Sequence, residues 1–415
     1  MTLDRRQWMT GLSALGITAA AHAASPLWAA TSSKKRESRK RRDAKSPDTH
    51  VDVAIIGAGA LGAWTAWHLV RRGQNVRIFD AYGAGNGRAA SNLQTMFLDP
   101  TQGGDALYAS MAQRALDGWQ NLSNSASLPI VTPCSVLTGL GASEAATIAA
   151  AANSSAQSAD MLRRSYPQML WQDGEYAIAN SGGGMIAGRR AILETLADAR
   201  LSVEDIVMPA PLQDKRQQRY TLPDGGTATH LLYACGAWLT EVFPQLITPA
   251  KLSAVRHQLF HFGAGQGDVQ YRMPAMPAVV DRHFGFTALP DLEGRGVRVW
   301  SHRPDASIDP DSFDRRSDDR ALAACRQWLA ARLPRLANAP VVNSQAAHDC
   351  RTNSGDLLMD RFPNHNRVWM LSGGAGRAFG LAPAIGERMA DHILDANRAV
   401  EPRWSLPSLT GSIIS

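Results

Sequence analysis

The chain has 415 residues, a length that is too great for one ordinary domain and suits two, each with its own core. Apolar residues make up 45% and charged residues 19%, which excludes an intrinsically disordered chain. The net charge of +6 lies in one segment, because residues 34–45 hold eight Lys or Arg and two Asp or Glu. Residues 4–6 add +1 and Asp48 cancels it, so residues 51–415 are neutral overall and give no indication of nucleic-acid binding.

Residues 1–30 are predicted to be an export signal. Arg5 and Arg6 are followed by Trp8 and a weakly apolar run that ends in small residues, as expected ahead of a cleavage site. The run is too short and too rich in Ala, Gly and Thr to be a membrane anchor. It resembles a twin-arginine signal, with an ordinary secretory signal as the alternative. Because the twin-arginine translocase carries folded proteins, the resemblance implies a periplasmic or otherwise exported bacterial protein that binds its cofactor before export.

Residues 31–50 form a polar, basic segment without apolar periodicity, here called the basic tether, which is predicted to be disordered. Its charge also suits weak contact with anionic lipid headgroups, so a solvated spacer and a membrane-surface contact both stay open. The four cysteines form no CxxC pair and no Cys/His spacing that suits zinc, so no metal site is predicted.

The segment that follows the tether has the pattern of a βαβ unit. Apolar residues 51–56 predict a strand, a glycine-rich turn follows at 57–62, residues 63–72 predict a helix, and residues 75–79 predict a second strand. Asp80 ends that second strand. This order and spacing predict a dinucleotide-binding unit.

The glycines and the acid of this unit each have a physical role. Gly57 permits a tight turn, Gly59 lets the backbone approach a pyrophosphate, and Gly62 lets the helix pack closely on the strand. The helix N-terminus favours the pyrophosphate anion through its free N–H groups and its dipole. Asp80 is placed to accept a ribose hydroxyl and would repel a 2′-phosphate.

Two further glycine-rich segments favour FAD over NAD. Residues 83–91 form a loop of small residues, and residues 372–387 follow an apolar strand near the C-terminus. With the first turn, they resemble the D-amino-acid oxidase-like flavoprotein superfamily, which implies an α/β fold with a Rossmann-like FAD-binding domain and an antiparallel-sheet substrate domain. The implied FAD-binding residues are Gly57, Ala58, Gly59, Ala60, Leu61, Gly62, Asp80, Ala81, Arg88, Ala89, Val207, Gly236, Trp238, Cys350, Gly374, Gly376 and Leu381.

Within that superfamily the chain is most similar to the monomeric sarcosine oxidase/N-methyl-amino-acid oxidase branch, from about Val51 to Asn397. The similar segments are residues 108–119, 231–238, 296–302, 308–311 and 350–363. Cys350 aligns closely with the cysteine that holds the flavin covalently in that branch. A thioether to Cys350 and an unlinked thiol both stay open.

The residues at the predicted substrate-binding positions differ from those of that branch. Met96 and Asp99 stand where the branch has arginines, and Gly380 stands where it has a lysine, so the groups that bind a substrate carboxylate there are missing. A carboxylate beside Asp99 would be repelled, so an amine with another cationic or neutral group fits better than a simple N-methyl amino acid. The substrate candidates are Met96, Asp99, Arg256, Trp300 and Arg377, the two arginines being partial replacements for the lost charge.

Arg298 and His302 are the candidate catalytic residues. Arg298 matches the lysine with which the branch promotes the reaction with O2, and His302 matches an active-site histidine. Arginine keeps the positive charge but cannot donate a proton, so O2 and a quinone both stay open as the electron acceptor. For His302 the alternative is a buried imidazole with a structural role.

The resemblance implies a discontinuous FAD-binding domain. Its segments would be residues 51–98, 182–252 and 349–400. The substrate domain would take residues 99–181 and 253–348, with a tail at 401–415. The implied function is that of a monomeric FAD-dependent oxidoreductase that oxidises a C–N bond of a small-molecule amine or amino-acid-like substrate by hydride transfer to flavin N5. Three alternatives stay open: a hydroxy-acid dehydrogenase, a flavin-binding protein without amine oxidase activity, and an accessory or assembly protein that docks through the basic tether.

Overall fold

The computed structural model describes residues 50–151, 154–205, 213–214, 219–305 and 307–410. Its helices are α1 (Ala60–Arg71), α2 (Ala106–Ser125), α3 (Ala142–Ala151), α4 (Ala159–Ser165), α5 (Gly188–Asp198), α6 (Leu239–Val242), α7 (Asp319–Arg332) and α8 (Ala382–Leu394). Its strands are β1 (His50–Ile56), β2 (Val76–Asp80), β3 (Met96–Leu98), β4 (Val131–Gly141), β5 (Ala156–Ser158), β6 (Glu175–Ile186), β7 (Val203–Asp205), β8 (Gln213–Asp214), β9 (Arg219–Thr221), β10 (Thr227–Tyr233), β11 (Leu252–Phe262), β12 (Ala278–Asp281), β13 (Phe286–Leu289), β14 (Val297–Ser301), β15 (Ser307–Ile308), β16 (Val341–Thr352), β17 (Leu357–Arg361) and β18 (Val368–Gly373).

A mostly parallel sheet, sheet A, forms around the predicted βαβ unit. Its strand order is β17-β18-β10-β1-β2-β7, with β9 beside β10 and β8 beside β9. Strands β18, β10, β1, β2 and β7 run parallel, and β17 pairs antiparallel with β18. Val53 and Ile55 of β1 face one apolar core while Ala54 and Ile56 face another, because side chains alternate along a strand. This burial on both faces explains why the strand is apolar throughout.

Helices α1, α2 and α8 pack over one face of sheet A. Trp64 of α1 and Trp119 of α2 meet edge to face with ring centroids 5.0 Å apart. The indole Nε1 of Trp119 donates a hydrogen bond to the carbonyl oxygen of Gly380 at 2.8 Å. The glycine-rich segment ahead of α8 is thereby held against the helices and beside the carboxyl ends of the parallel strands.

A second, largely antiparallel sheet, sheet B, supplies the other half of the fold. Its strand order is β15-β11-β14-β13-β12-β4-β6-β3, with β16 beside β11 and β5 beside β6. Phe260, Phe262, Val297 and Val299 pack with α7 in one apolar core. The alternate residues of the same strands therefore face away from α7, and this second face is polar and aromatic where it carries Arg298 and Trp300.

A buried ion-pair network ties α7 to sheet B. Arg332 of α7 is paired with Glu175 at 2.9 Å and with Asp281 at 3.0 Å, and the indole Nε1 of Trp328 donates to Asp281 at 3.0 Å. Each member of this network has a partner, so the buried charges are compensated. The network fixes the end of β12, from which Arg282 extends.

The predicted α/β class with a parallel dinucleotide sheet and an antiparallel sheet is confirmed. The helix predicted at residues 63–72 begins earlier, at Ala60, because the glycine turn itself forms the first helical turn. The division into domains stays a prediction; β3, which the sequence assigns to the FAD-binding segments, pairs with β6 in sheet B. The predicted export signal and the basic tether up to residue 49 lie outside the described residues. In the part of the chain that the structure describes, no helix is long and apolar enough to cross a membrane.

Candidate functional site

A cavity of about 810 Å³ lies between sheets A and B. The loops that follow β1, β2, β10 and β18 line one side, and residues of β11, β13 and β14 line the other. Ligands of α/β sheets bind outside the carboxyl ends of parallel strands, which is where this cavity lies. Its volume falls in the range of roughly 300–1,000 Å³ that is typical of ligand and cofactor sites.

The cavity brings together most of the residues predicted from the sequence. Those that line it are Gly57, Gly59, Ala60, Leu61, Asp80, Ala81, Ala89, Met96, Asp99, Gly236, Trp238, Arg298, Trp300, His302, Cys350, Gly376 and Arg377. Those that do not line it are Ala58, Gly62, Arg88, Arg256, Gly374 and Leu381. Val207 lies outside the described residues, so its predicted contact with FAD stays a prediction.

The turn at residues 57–62 requires glycine at two positions. Gly57 has a φ of +106°, and a Cβ atom there would lie 2.4 Å from the carbonyl oxygen of Ala234. A Cβ at Gly62 would lie 1.9 Å from the carbonyl oxygen of Gly57. At Gly59, in contrast, the nearest atom to such a Cβ is the Ser91 hydroxyl at 3.8 Å, so the backbone there borders open space. Gly57 and Gly62 therefore serve packing, and Gly59 leaves room for a ligand.

The N-terminus of α1 has the properties of an anion site. Gly59, the residue that precedes α1, provides no capping side chain, and the first turn holds no acidic residue. The free N–H groups at such a helix end carry a partial positive charge and bind phosphate oxygens. The residues present thus fit the pyrophosphate of a dinucleotide.

Asp80 faces the same cavity from the end of β2. One carboxylate oxygen accepts a hydrogen bond from the Ala58 N–H at 2.8 Å, and the other accepts one from the Tyr82 N–H at 2.9 Å. Desolvation is the largest influence on this carboxyl and raises its pKa, while the two backbone donors act in the opposite direction. Each oxygen keeps a second lone pair, so Asp80 can still accept from a ribose hydroxyl.

The side chain of Arg88 forms an ion pair and is not part of the cavity lining. Its guanidinium lies 2.9 Å from Asp311 and stacks over the ring of Tyr82 at 4.6 Å. The same Asp311 oxygen accepts hydrogen bonds from the Tyr82 hydroxyl at 3.0 Å and from the indole of Trp238 at 3.1 Å. Arg88 therefore joins the loop after β2 to the segment after β15, with its side chain outside the cavity.

Cys350 lines the cavity from β16. Its thiol lies 3.3 Å from the hydroxyl of Ser372, which itself donates to the carbonyl oxygen of Gly236 at 2.9 Å. Burial raises the pKa of Cys350 to about 12, so the thiol is held protonated at neutral pH. The sulfur is placed to meet a ligand, but the surrounding residues do not themselves generate a thiolate.

Arg298 is a buried cation on the face of sheet B that lines the cavity. It donates to the carbonyl oxygen of Thr95 and stacks over the ring of Trp300 at 4.8 Å. Among the described residues it has no carboxylate partner, and its Nε has no hydrogen-bond acceptor. Burial lowers the pKa of Arg298 to about 9, which still leaves it positively charged at neutral pH.

His302 lies two residues after Trp300 and also lines the cavity. Its Nε2 is 2.8 Å from the hydroxyl of Thr287, and its backbone N–H donates to the carbonyl oxygen of Gly285. Burial lowers the pKa of His302 to about 4, so the imidazole is neutral at neutral pH. A neutral imidazole held by a hydroxyl can orient a substrate or accept a proton, but it is a weak base.

The predicted substrate residues separate into two groups. Met96, Asp99, Trp300 and Arg377 line the cavity, and Arg377 stacks over the ring of Tyr108 at 4.4 Å. Arg256 does not line the cavity, because its guanidinium is shared between Asp305 and Asp318, at 3.4 Å from each.

Several residues that line the cavity were missed from the sequence. His257 and Arg351 form a pair, with the guanidinium of Arg351 donating to Nε2 of His257 at 3.2 Å. Arg282, Gln102 and Thr287 are further polar residues of the lining. His257 and Leu259 alternate with core residues along β11, so the strand's period-two pattern could have indicated that they face the site.

The family profile described as "DAO: FAD dependent oxidoreductase" matches residues 52–392. The chain belongs to this family of FAD-dependent oxidoreductases. FAD is accordingly its cofactor, and the glycine turn, the free N-terminus of α1 and Asp80 provide the features that a dinucleotide needs. The predicted cofactor and the predicted class of enzyme are both confirmed.

Named members of this flavoprotein family are similar to the chain over most of their length. N-methyl-L-tryptophan oxidase of Salmonella heidelberg (strain SL476) is 24% identical over 360 residues, which are 83% of this chain and 94% of the relative. Monomeric sarcosine oxidase of Bacillus sp. (strain B-0618) is 23% identical over 366 residues, which are 82% of this chain and 91% of the relative. The predicted relation to the sarcosine oxidase/N-methyl-amino-acid oxidase branch is consistent with both.

Solved structures share the fold of this flavoprotein. L-proline dehydrogenase from P. horikoshii superposes with a TM-score of 0.73 at 15% identity. The superposition covers 86% of this chain and 97% of the chain of that protein. Fructosyl amine:oxygen oxidoreductase (amadoriase I) from Aspergillus fumigatus superposes with a TM-score of 0.68 at 22% identity. The superposition covers 87% of this chain and 90% of the chain of that protein. At these identities the likeness supports the fold.

Proposed function

We propose that this flavoprotein oxidises a C–N bond of an amine or amino-acid-like substrate. The observation that carries the proposal is the continuity of one cavity from the dinucleotide turn at Gly57 to the sheet B residues Arg298, Trp300 and His302. The names of the relatives support it, since N-methyl-L-tryptophan, sarcosine, L-proline and fructosyl amines all carry a C–N bond.

The residues that would hold FAD come from sheet A and the segments that follow its strands. The N–H groups at the start of α1 would bind the pyrophosphate, and Asp80 would accept from a ribose hydroxyl. Gly373 and residues 375–379, which line the cavity ahead of α8, would border the flavin ring together with Cys350 and Trp238. When bound, FAD supplies a two-electron acceptor for the hydride on the carbon next to the substrate nitrogen.

The chain's own residues favour the reactive, neutral form of the amine. Arg298 has no carboxylate partner among the described residues, so its positive charge disfavours a second cation beside it and lowers the pKa of a neighbouring amine. The apolar and aromatic surroundings of Trp300 add desolvation, which acts in the same direction. His302 stays neutral at neutral pH and adds no charge beside the amine.

The proposal also concerns the identity of the electron acceptor, O2 or a quinone. Arg298 provides a fixed positive charge that would stabilise superoxide, so O2 suits the site. Arg298→Gln keeps a hydrogen-bond donor and removes the charge, and it should slow reoxidation by O2 by at least about tenfold if oxygen is the natural acceptor. If reoxidation by O2 is slow in the wild-type protein and unchanged in the variant, while a soluble quinone reoxidises both quickly, the protein is a dehydrogenase.

Steady-state turnover tests the proposed reaction. The purified holoenzyme is supplied with secondary amines, N-methyl amino acids and hydroxy acids, with O2 or a quinone as acceptor, and the aldehyde released by imine hydrolysis is measured. Production of aldehyde from an amine supports the proposal. Turnover of hydroxy acids alone would replace it with the hydroxy-acid dehydrogenase alternative.

We further propose export by the twin-arginine route. Arg5 and Arg6 lie outside the described residues, and the support for this proposal is the sequence pattern. Replacing both with lysine should retain the flavin-loaded protein in the cytoplasm, while replacing Arg41 and Arg42 in the basic tether with lysine should not. Periplasmic recovery of the Arg5/Arg6 variant would contradict the route. The contact of the tether with anionic lipid and the monomeric state stay predictions.

A further inference from the structure

Asp99 is a carboxylate in the cavity lining without an ion-pair partner. It follows β3, and both hydrogen bonds it accepts from Thr101, from the N–H at 2.9 Å and from the hydroxyl at 2.8 Å, go to the same oxygen, Oδ1. In the described part of the chain, no side chain donates to its Oδ2 and no Lys or Arg lies within ion-pair distance. Burial raises the pKa of Asp99, as expected for a carboxyl whose charge is poorly compensated.

The charge of Arg282 acts on Asp99, but the Arg282 side chain is bound by other groups. Arg282 lies 3.5 Å from Glu144 of α3, and its guanidinium packs directly on Gly103, where a Cβ atom would come within 2.4 Å of Nη1. Gln102 closes the same turn by donating from Nε2 to the Asp99 carbonyl oxygen at 2.6 Å. The loop thus holds Asp99 through Oδ1, and the described side chains leave Oδ2 without a donor.

Apolar side chains make up a further part of the cavity lining. These apolar residues are Met96, Phe97, Leu259, Val280, Trp300 and Phe379. The cavity that holds Asp99 thus also offers apolar contacts to an alkyl chain.

We propose that Asp99 binds a cationic group of the substrate that is separate from the nitrogen that is oxidised. This inference rests on the proposed amine oxidation and names the substrate class: an amine whose alkyl chain carries a second ammonium or guanidinium group. The reacting nitrogen itself is excluded as the partner of Asp99, because an ion pair with a carboxylate keeps an amine protonated, whereas oxidation requires the neutral form. The position beside Arg298 suits the neutral nitrogen, and Asp99 suits the remote cation.

A binding experiment tests this without turnover. Butylguanidinium and its neutral isostere butylurea are titrated into the holoenzyme, and the perturbation of the flavin absorbance gives Kd for each. We expect butylguanidinium to bind about 10- to 100-fold more tightly than butylurea, the range for a charge-assisted hydrogen bond in a partly buried site. Asp99→Asn, which keeps the side-chain shape, should abolish the preference, and Asp160→Asn, an exposed acid on α4, should keep it.

Substrate pairs provide the second readout. N-methylputrescine and N-methylpentylamine differ only in a terminal ammonium group, which the second compound replaces with a methyl group. We expect kcat/KM of the wild-type enzyme to be about tenfold or more higher for the diamine. In Asp99→Asn we expect no such preference. Equal binding of butylguanidinium and butylurea by the wild-type protein would overturn the inference even if Asp99→Asn failed to fold. A guanidinium preference that Asp99→Asn retains would also overturn it. If no amine reduces the flavin but the guanidinium preference depends on Asp99, the proposed reaction fails and the cation site stands.

Discussion

The carboxylate of Asp80 accepts a hydrogen bond from the backbone N–H of Ala58 at 2.8 Å, 22 residues earlier in the chain. This bond joins the end of β2 to the glycine turn after β1, so the residue that would contact the ribose also holds the turn that would contact the pyrophosphate. If Asp80 binds the ribose as proposed, cofactor binding and the local stability of the turn are coupled through one side chain.

Asp80→Ala should therefore weaken FAD binding. It removes a charged acceptor for a ribose hydroxyl and a support of the turn, and the loss of such a charge-assisted bond corresponds to about a 10- to 100-fold increase in Kd. The check is titration of apoprotein with FAD. Asp173→Ala is the control, because Asp173 lies in the loop before β6, is exposed and does not line the cavity. An unchanged Kd in Asp80→Ala would rule out this role.

Gly57→Ala should be far more destabilising than Gly73→Ala. Both positions have positive φ, +106° and +80°, so both substitutions carry a backbone cost of about 1–2 kcal/mol. Only at Gly57 does a Cβ also meet backbone, 2.4 Å from the Ala234 carbonyl oxygen, whereas nothing lies within 4 Å at Gly73. Overpacking adds about 1–3 kcal/mol more. Urea unfolding of the two variants measures the difference, and equal losses would show that the close contact relaxes without cost.

Cys350→Ser tests the covalent attachment predicted from the resemblance. We expect the yellow flavin to remain with the denatured wild-type polypeptide and to be released from the variant. Cys235→Ser is the control, because Cys235 also lines the cavity and burial raises its pKa to about 12, as it does for Cys350. Release of flavin from the denatured wild-type protein would establish instead that the thiol is unlinked, in keeping with the raised pKa.

Stability should fall as the pH is lowered from about 6.5 toward 4. Burial lowers the pKa of His68, His230, His261, His302 and His348 to about 4. In this window the unfolded chain takes up protons that the folded protein does not, so the free energy of unfolding rises with pH up to about 6.5 and is then unaffected by these groups.

Thermal unfolding across this pH range measures the slope. His261→Leu, which removes one buried imidazole whose Nδ1 has no partner, should reduce the slope, while His283→Gln at an exposed position should leave it unchanged. A stability that does not vary between pH 6.5 and 4.5 would contradict the account of neutral buried histidines.

The dinucleotide half of the site could be predicted because its determinants are local. Gly57, Gly59, Gly62 and Asp80 lie within one βαβ unit, so their spacing along the chain fixes their spacing in space. The start of α1 at Ala60 was missed since the sequence pattern marks the apolar helix face and not the turn that leads into it.

The substrate half could not be predicted in the same way because it is assembled from distant segments. His257 and Arg351 meet across β11 and β16, and Arg282 meets Gly103 from another strand of sheet B. Arg88, predicted to contact FAD from its place in the loop after Asp80, pairs in the structure with Asp311, 223 residues later, and its contact with FAD stays a prediction. Which of several acidic side chains an arginine pairs with is decided by the tertiary structure.

The central proposal, oxidation of an amine at the flavin, is tested most directly by the reductive half-reaction. Holoenzyme is mixed anaerobically with N-methylputrescine, secondary monoamines, N-methyl amino acids and hydroxy acids, and the flavin absorbance is followed. The account predicts that an amine bleaches the yellow flavin and that the imine product accumulates in equal amount to the flavin reduced. A flavin that stays oxidised with every amine, or that is bleached by hydroxy acids alone, would contradict it.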